Sequence, residues 1–266
     1  MSNPAVRFVE SIGGALIAPV EEVGRFLRVT GLGVVAIFRP PWRLRLVFRQ
    51  LEFVGVQSLT IVVITGGFIG AVYALQAAYG FGLFNAEILT GSTVTLSLTR
   101  TLGPVFAALM ITARAGSSMA AEIGTMRVTE QIDALEAMAV DPIDYLVAPR
   151  LVAGVTMVPL AAAVFTAVGM FGCWLVGVKL LGIDEGAFLY RTWWYADPPD
   201  LVWGLAKAAV FGFVLAAVGC TKGLYVRGGA EGVGRATSQA VVIASVAILI
   251  LDYFLTDILM STGIWI

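Results

Sequence analysis

Apolar residues in this chain fall in long runs, not in strand-like alternation, and the runs have the length that a bilayer requires. A membrane-crossing helix takes about 20 mostly apolar residues. No charged residue lies between Glu52 and Glu87, and the pattern predicts a first span near 53–78. A second is predicted over about 93–112, interrupted by Arg100. A third lies in the uncharged stretch between Arg150 and Lys179, and a fourth near 201–221 contains Lys207. The last, near 237–260, contains Asp252 and Asp257. The expected fold is an all-α integral membrane protein of about five transmembrane helices.

Composition agrees with lipid as the solvent. The chain is 59% hydrophobic and 13% charged, with a mean hydropathy of +0.90; soluble domains are roughly half apolar and a quarter charged. A net charge of -1 supplies no global field for nucleic acid. Histidine is absent, which removes the usual general base and the commonest metal ligand. Cys173 and Cys220 lie in apolar runs and read as small core residues. We therefore expect no catalytic residue, no metal site and no cofactor in this chain.

The N-terminus does not read as a cleavable signal, because its early apolar stretch at 12–20 is short and runs into Glu21-Glu22. Residues 1–52 carry Arg7, Arg25, Arg28, Arg39, Arg43, Arg45 and Arg49 among apolar residues. That pattern suits amphipathic helices lying at the interface, separated by Pro40-Pro41, ahead of a five-helix domain over 53–266. Arginine and lysine sit in the N-terminal region, between spans two and three (Arg114, Arg127, Arg150) and after span four (Lys222, Arg227, Arg235). Between 79 and 92 there are none, and between spans three and four only Lys179 and Arg191. This bias predicts a cytoplasmic N-terminus and a C-terminus on the outer side. Trp193-Trp194-Tyr195 fits an aromatic belt at the outer face.

Between spans two and three the pattern becomes polar. Glu130, Asp133 and Glu136 recur at helical spacing, with Ile132, Leu135 and Ala139 on a neighbouring face. We predict a short amphipathic helix over about 129–140, with Thr129 as N-cap and Asp141-Pro142 ending it. The pattern fits an ordinary surface helix or a docking element equally well. Gly66 and Gly70, and Gly169, Cys173 and Gly177, form small-residue ridges suited to close packing within a bundle or across a dimer, the former weighted more heavily. The glycines at 228–234 lack the preceding strand and the Gly-Lys-Ser/Thr ending of a nucleotide loop.

Charges at bilayer depth are functional hypotheses by default. Arg100 has no acidic neighbour in its own span, which leaves room for a lipid phosphate, the alternative being a structural ion pair. Lys207 and Asp252 sit at similar depth and are expected to pair. Tyr73 and Gln76 either line a route toward the outer side or are buried polar groups, and Leu75, Tyr79 and Phe81 either wall an acyl-chain cavity or face lipid.

The stretches Leu102-Gly-Pro-Val-Phe-Ala-Ala-Leu-Met, Ala113-Arg-Ala-Gly-Ser, Ala121-Glu-Ile-Gly-Thr-Met-Arg-Val-Thr-Glu-Gln-Ile and Met138-Ala-Val-Asp-Pro closely resemble the MlaE/YrbE permeases of Mla- and Mce-type phospholipid ABC transporters. Arg49-Gln-Leu, Phe68-Ile-Gly-Ala, Leu75-Gln76 and Gly234-Arg-Ala-Thr add to the likeness, which runs from about 45 to 258. The resemblance implies a homodimer in the bacterial inner membrane with a lipid cavity at its interface. It implies a separate cytoplasmic ATPase that binds the ATP, a periplasmic MCE-domain protein and often a STAS-domain protein. Phospholipid is the implied cargo, and outer-membrane lipid asymmetry the implied role.

By the same resemblance Glu130, Gln131, Asp133, Leu135, Glu136 and Met138 belong to a coupling helix that docks on the ATPase. Arg100, Thr101, Tyr73, Leu75, Gln76 and Tyr79 become candidates for the lipid cavity. Relatives commonly carry an acidic residue where this chain has Thr101. The rival reading is a self-sufficient secondary transporter with Arg100, Lys207 and Asp252 as a relay, although neither inverted repeats nor broken helices are evident in the sequence. An intramembrane enzyme finds no clustered carboxylates to work with.

Overall fold

The computed structural model describes residues 4–40, 43–195, 197–263 and 265, with side chains from residue 20 onward. Pro41 and the Arg7 side chain, used above, lie outside that description. Among the described residues every regular element is helical, and five continuous rods are long and apolar enough to cross a membrane: Leu44–Gly82, Glu87–Val128, Ile143–Leu180, Pro198–Leu224 and Gly229–Ser261.

The chain begins with α1 (Pro4–Ile37), followed by α2 (Leu44–Val54) and α3 (Leu59–Gly82). The amphipathic α2 leaves Leu44 and Phe48 exposed and bends at Gly55 into the first span. The bend is held from the second rod. Arg114 donates to the Phe53 carbonyl at 2.9 Å, to Ser58 Oγ at 3.1 Å and to Gln57 Oε1 at 2.7 Å. A cation at the C-terminal carbonyls of α2 complements that helix's dipole.

The second rod comprises α4 (Thr90–Ser97), α5 (Gly103–Ile111) and α6 (Ser117–Val128), joined by π-helical turns at Leu98–Leu102 and Thr112–Gly116. The first turn has an evident cause. Pro104 carries no N–H, so the carbonyl of Arg100, four residues earlier, loses its intrahelical donor. A further π-helical turn at Ile143–Val147 precedes Pro149 by the same spacing. A span that reads as one regular helix in the sequence thus carries two π-helical turns. Arg114 and Arg150 correct the sequence expectation in a second way. Both look like loop charges in the sequence, yet Arg114 lies inside the second rod and Arg150 inside α8 (Ala148–Trp174), 2% exposed. Helices continue well past the apolar runs because internal partners, not loops, take up these charges.

Between the rods sits α7 (Gln131–Ala137). It is shorter than the predicted 129–140, and its cap differs. Glu130 precedes it in a left-handed conformation (φ 59°), Ala139 follows in another (φ 56°), and the Thr129 hydroxyl donates back to Thr125 O at 2.9 Å. Thr129 therefore closes α6 and does not open α7. Asp141 Oδ1 accepts the Ile143 N–H at 2.8 Å, starting the next rod. The remaining elements are α9 (Glu185–Tyr195), α10 (Pro198–Leu224) and α11 (Gly229–Ser261).

The core lies where α8 and α10 cross their neighbours, around Leu98, Ile111, Leu151, Phe165, Phe211 and Leu215, all with no exposed surface. Glycines set the spacing. A Cβ on Gly70 would come within 2.0 Å of Gly169 O, and one on Gly212 within 2.1 Å of Gly154 O. Gly66, Gly70 and Gly169 thus serve the α3–α8 contact inside one chain. The faces of α3 and α11 point outward, with Phe68, Val72, Leu249, Tyr253 and Phe254 exposed as lipid or a second subunit would require.

Candidate functional site

Three places hold the residues singled out above, at the two ends of the bundle. The first is a charge cluster at the junction of α4, α10 and α11. Arg100, in the first π-helical turn, binds Asp200 through two parallel contacts, Nε to Oδ1 at 2.9 Å and Nη2 to Oδ2 at 3.1 Å. Its Nη1 donates to the carbonyl of Trp265 at 3.2 Å, and the guanidinium lies 5.4 Å from the centre of the Trp265 ring. No acid lies near the arginine in its own span. The partner comes from the first turn of α10, where Asp200 is 3% exposed.

Lys207 completes the cluster from two turns further along α10. Its ammonium donates to the Arg100 carbonyl at 3.0 Å and to Thr256 Oγ1 at 2.8 Å, and lies 2.5 Å from Asp252 Oδ1. The Trp265 ring covers this cation too, at 5.2 Å. The carbonyl that Pro104 leaves without a donor is thereby satisfied by a lysine from another helix. In hydrocarbon an unsatisfied carbonyl costs several kcal/mol, so this contact accounts for lysine at a position only 2% exposed. Lys207 and Asp252 are close, as their depth suggests, within a network that also holds Arg100, Asp200, Thr256 and Trp265.

The second place is an open groove of about 620 Å³ near the end of α3, lined by Leu75, Gln76, Tyr79, Glu87, Leu181 and Ile183. Leu75 and Tyr79 are exposed there. Tyr73 is separate, its hydroxyl hydrogen-bonded to Ser97 Oγ at 3.2 Å between α3 and α4. Thr101 stays half-buried in the π-helical turn. The six lipid-cavity candidates therefore do not line one cavity within a single subunit.

The third place is α7, at the opposite end. Ile132 is buried and Leu135 half-buried against α6, while Gln131, Asp133 and Glu136 are exposed and Met138 is 66% exposed. Asp133 is held by Arg127 at 2.6 Å. Ala139, expected on the apolar face, is exposed beyond the helix end. Behind α7, Arg150 reaches Glu122 at 2.6 Å and the Leu146 carbonyl at 2.8 Å, joining α6 to the start of α8. No pattern in the sequence pairs Asp200, Trp265, Glu122 or Arg150 with these partners. The proline four residues after Arg100 was the available signal, since it announces a carbonyl in need of a donor.

No group of three or more histidine, cysteine, aspartate or glutamate side chains able to hold a metal occurs among the described residues. Nothing in these three places assembles a nucleophile and base. The arrangement offers a multi-pass bundle with internally paired charges, an apolar groove at one end and a pinned polar helix at the other.

Comparison with known proteins fits this architecture. A probable ABC transporter permease of Rickettsia felis is 46% identical over 253 residues, covering 95% of this chain and 98% of the relative. The intermembrane phospholipid transport system permease protein MlaE of Haemophilus influenzae is 38% identical over 267 residues, covering 97% of this chain and 99% of the relative. The chloroplastic protein TRIGALACTOSYLDIACYLGLYCEROL 1 of Arabidopsis thaliana is 33% identical over 229 residues, covering 86% of this chain and 65% of the relative. With the Permease MlaE family pattern matching residues 47–258, the chain belongs to the MlaE permease family and is a transport permease.

Proposed function

We propose that this permease is the non-catalytic membrane half of an ATP-driven phospholipid transporter, working as a homodimer in the bacterial inner membrane. The N-terminus and α7 face the cytoplasm in this reading, and the C-terminus faces the periplasm, in keeping with the arginine and lysine bias of the sequence. A separate ATPase docks on α7 and binds the ATP. A periplasmic MCE-domain protein exchanges lipid at the other end, and a STAS-domain protein is a further candidate partner. Phospholipid as cargo is supported by the likeness to the Haemophilus permease over nearly the full length of both chains.

The observation that carries the reading is the construction of α7. Two non-glycine residues in left-handed conformations bracket it, and such strain costs about 1 kcal/mol or more at each position. Ile132 and the Arg127–Asp133 pair fix it to α6, while Glu136 and Met138 stay free on its outer side. A rigid element presenting an acidic and apolar surface suits the transfer of motion from a docked partner. The groove at Leu75, Gln76 and Tyr79 would meet its symmetry mate across the dimer and there receive acyl chains.

The test is co-purification of the permease with its candidate ATPase, comparing wild type with Glu130→Lys/Glu136→Lys/Met138→Glu, which leaves the Asp133 pair intact. The expected result is a folded variant that retains phospholipid but loses the ATPase and its hydrolysis. Undiminished ATPase binding would overturn the docking role of α7. Transport by the isolated permease in liposomes would instead favour the self-sufficient transporter.

A further inference from the structure

A groove of about 930 Å³ opens between α1, α10 and α11, at the end of the bundle away from the Arg100 cluster. Its walls are graded. At one end stand Thr221 and Lys222 of α10, Arg227 in the connecting turn, and Arg235 and Gln239 of α11. Further along, Val214 and Val218 face Ile243, Ala247 and Leu251. These positions recur every three to four residues, so each helix contributes one continuous stripe. From Gln239 to Leu251 the stripe extends about 18 Å, close to the roughly 15 Å depth of hydrocarbon in one leaflet.

The polar end has more donors than the chain uses. Lys222 pairs with Glu22 across the rim and Arg25 with Glu21 along α1, so these charges offset one another. Arg227 and Arg235 form no ion pair among the described residues. The first N–H groups of α11 have no side-chain cap at Gly228, beside which the Arg235 guanidinium lies. Glu231 is exposed and does not line the groove. Thr221 is the more telling residue. It is 6% exposed and its hydroxyl has no partner, whereas Thr99 and Thr112 return theirs to the carbonyl four residues back; the hydroxyls of Thr30, Thr90 and Thr192 are also unpartnered, but only Thr221 lines this groove. A buried hydroxyl left without a partner costs about 1–3 kcal/mol, a cost that an acceptor seated in the groove relieves once the Thr221 side chain turns toward it.

We infer that this groove seats one anionic glycerophospholipid from the surrounding bilayer. Its phosphate sits among Arg227, Arg235 and the Thr221 hydroxyl, and an acyl chain lies against Val218, Ile243 and Ala247. A free phosphate would use the polar end and leave the apolar stripe uncovered, while a neutral apolar molecule would leave both arginines unused. The site is a resident lipid seat, separate from the groove at Leu75 and Tyr79, and its occupancy does not depend on transport.

Native mass spectrometry of the purified full chain in detergent, supplied with equal phosphatidylglycerol and phosphatidylcholine, tests the assignment. Wild type is expected to retain one phosphatidylglycerol in about tenfold preference, as two basic residues at an anionic lipid allow. Arg227→Gln/Arg235→Gln removes the preference, and Ala247→Phe, which fills the apolar stripe, lowers retention while both arginines remain. Equal retention of the two lipids by wild type, or unchanged preference in the arginine variant, overturns the proposal. Displacement of the lipid by millimolar inorganic phosphate alone reduces the site to an anion pocket and also overturns it. Loss of transport with this binding intact bears only on the transport reading.

Discussion

The two ends of α10 and α11 treat polar side chains in opposite ways. At the Asp200 end, ionised groups from three helices are matched within the chain: arginine to aspartate and a tryptophan carbonyl, lysine to aspartate, threonine and an arginine carbonyl. Some 14 residues beyond Lys207 along α10, Thr221 is buried with no acceptor and the nearby Arg227 and Arg235 have no counter-ion among the described residues. Both ends are built from the same pair of helices, so helix packing alone does not explain the difference. Where the chain provides the counter-ions, the charges act as a fastener between segments distant in sequence, even though the Trp265 indole N–H beside them has no acceptor. Where it leaves cations over, the missing counter-ion belongs to something else.

The strongest test of the fastener is Asp200→Ala. It strands the Arg100 guanidinium beside a second buried cation, and breaking a buried pair in this way costs about 3–5 kcal/mol. Thermal unfolding in detergent should show the loss, and Arg100→Met/Asp200→Leu should recover most of it, since apolar replacement of both partners removes the uncompensated charge. An Asp200→Ala protein as stable as wild type would break the comparison, because the cluster would then not be holding the bundle together.

Lys207→Met should be smaller, about 2–3 kcal/mol, because it leaves the Arg100 carbonyl and Asp252 without their donor. The structure predicts a specific rescue. Restoring a backbone N–H with Pro104→Ala returns a donor to that carbonyl, so Pro104→Ala should be less harmful in the Lys207→Met background than in wild type. The double-mutant cycle measures this coupling directly. Strict additivity would mean that proline and lysine are not linked through the Arg100 carbonyl.

These contacts also show what could be read from the sequence. The five spans were legible because apolar runs of bilayer length have few other uses. Their ends were not, because Arg114, Glu122 and Arg127 look like loop residues while the helix carries them onward, and Arg150, at the start of α8, was counted with them. The place of α7 was visible in the spacing of Glu130, Asp133 and Glu136, but its boundaries depend on left-handed backbone at Glu130 and Ala139, two residue types that give no such signal. The approach of Lys207 to Asp252 followed from depth alone. The Arg100–Asp200 contact did not, since its partners lie 100 residues apart and Asp200 precedes the apolar part of its helix. Depth arguments find charges that need partners; only the fold decides which partner arrives.

The smallest expected effect sharpens the comparison most. Thr221→Val keeps the shape of the side chain and removes only the unpartnered hydroxyl. At the Asp200 end loss of a paired charge should destabilise, but here the change should be neutral or stabilising in detergent without anionic lipid, by up to about 1 kcal/mol. In phosphatidylglycerol nanodiscs the sign should turn, because wild type then gains an acceptor for the hydroxyl and the valine variant does not. Unfolding of both proteins in the two environments gives the difference. If Thr221→Val destabilises equally in each, the hydroxyl has a partner within the chain after all, and the two ends of α10 and α11 follow the same rule.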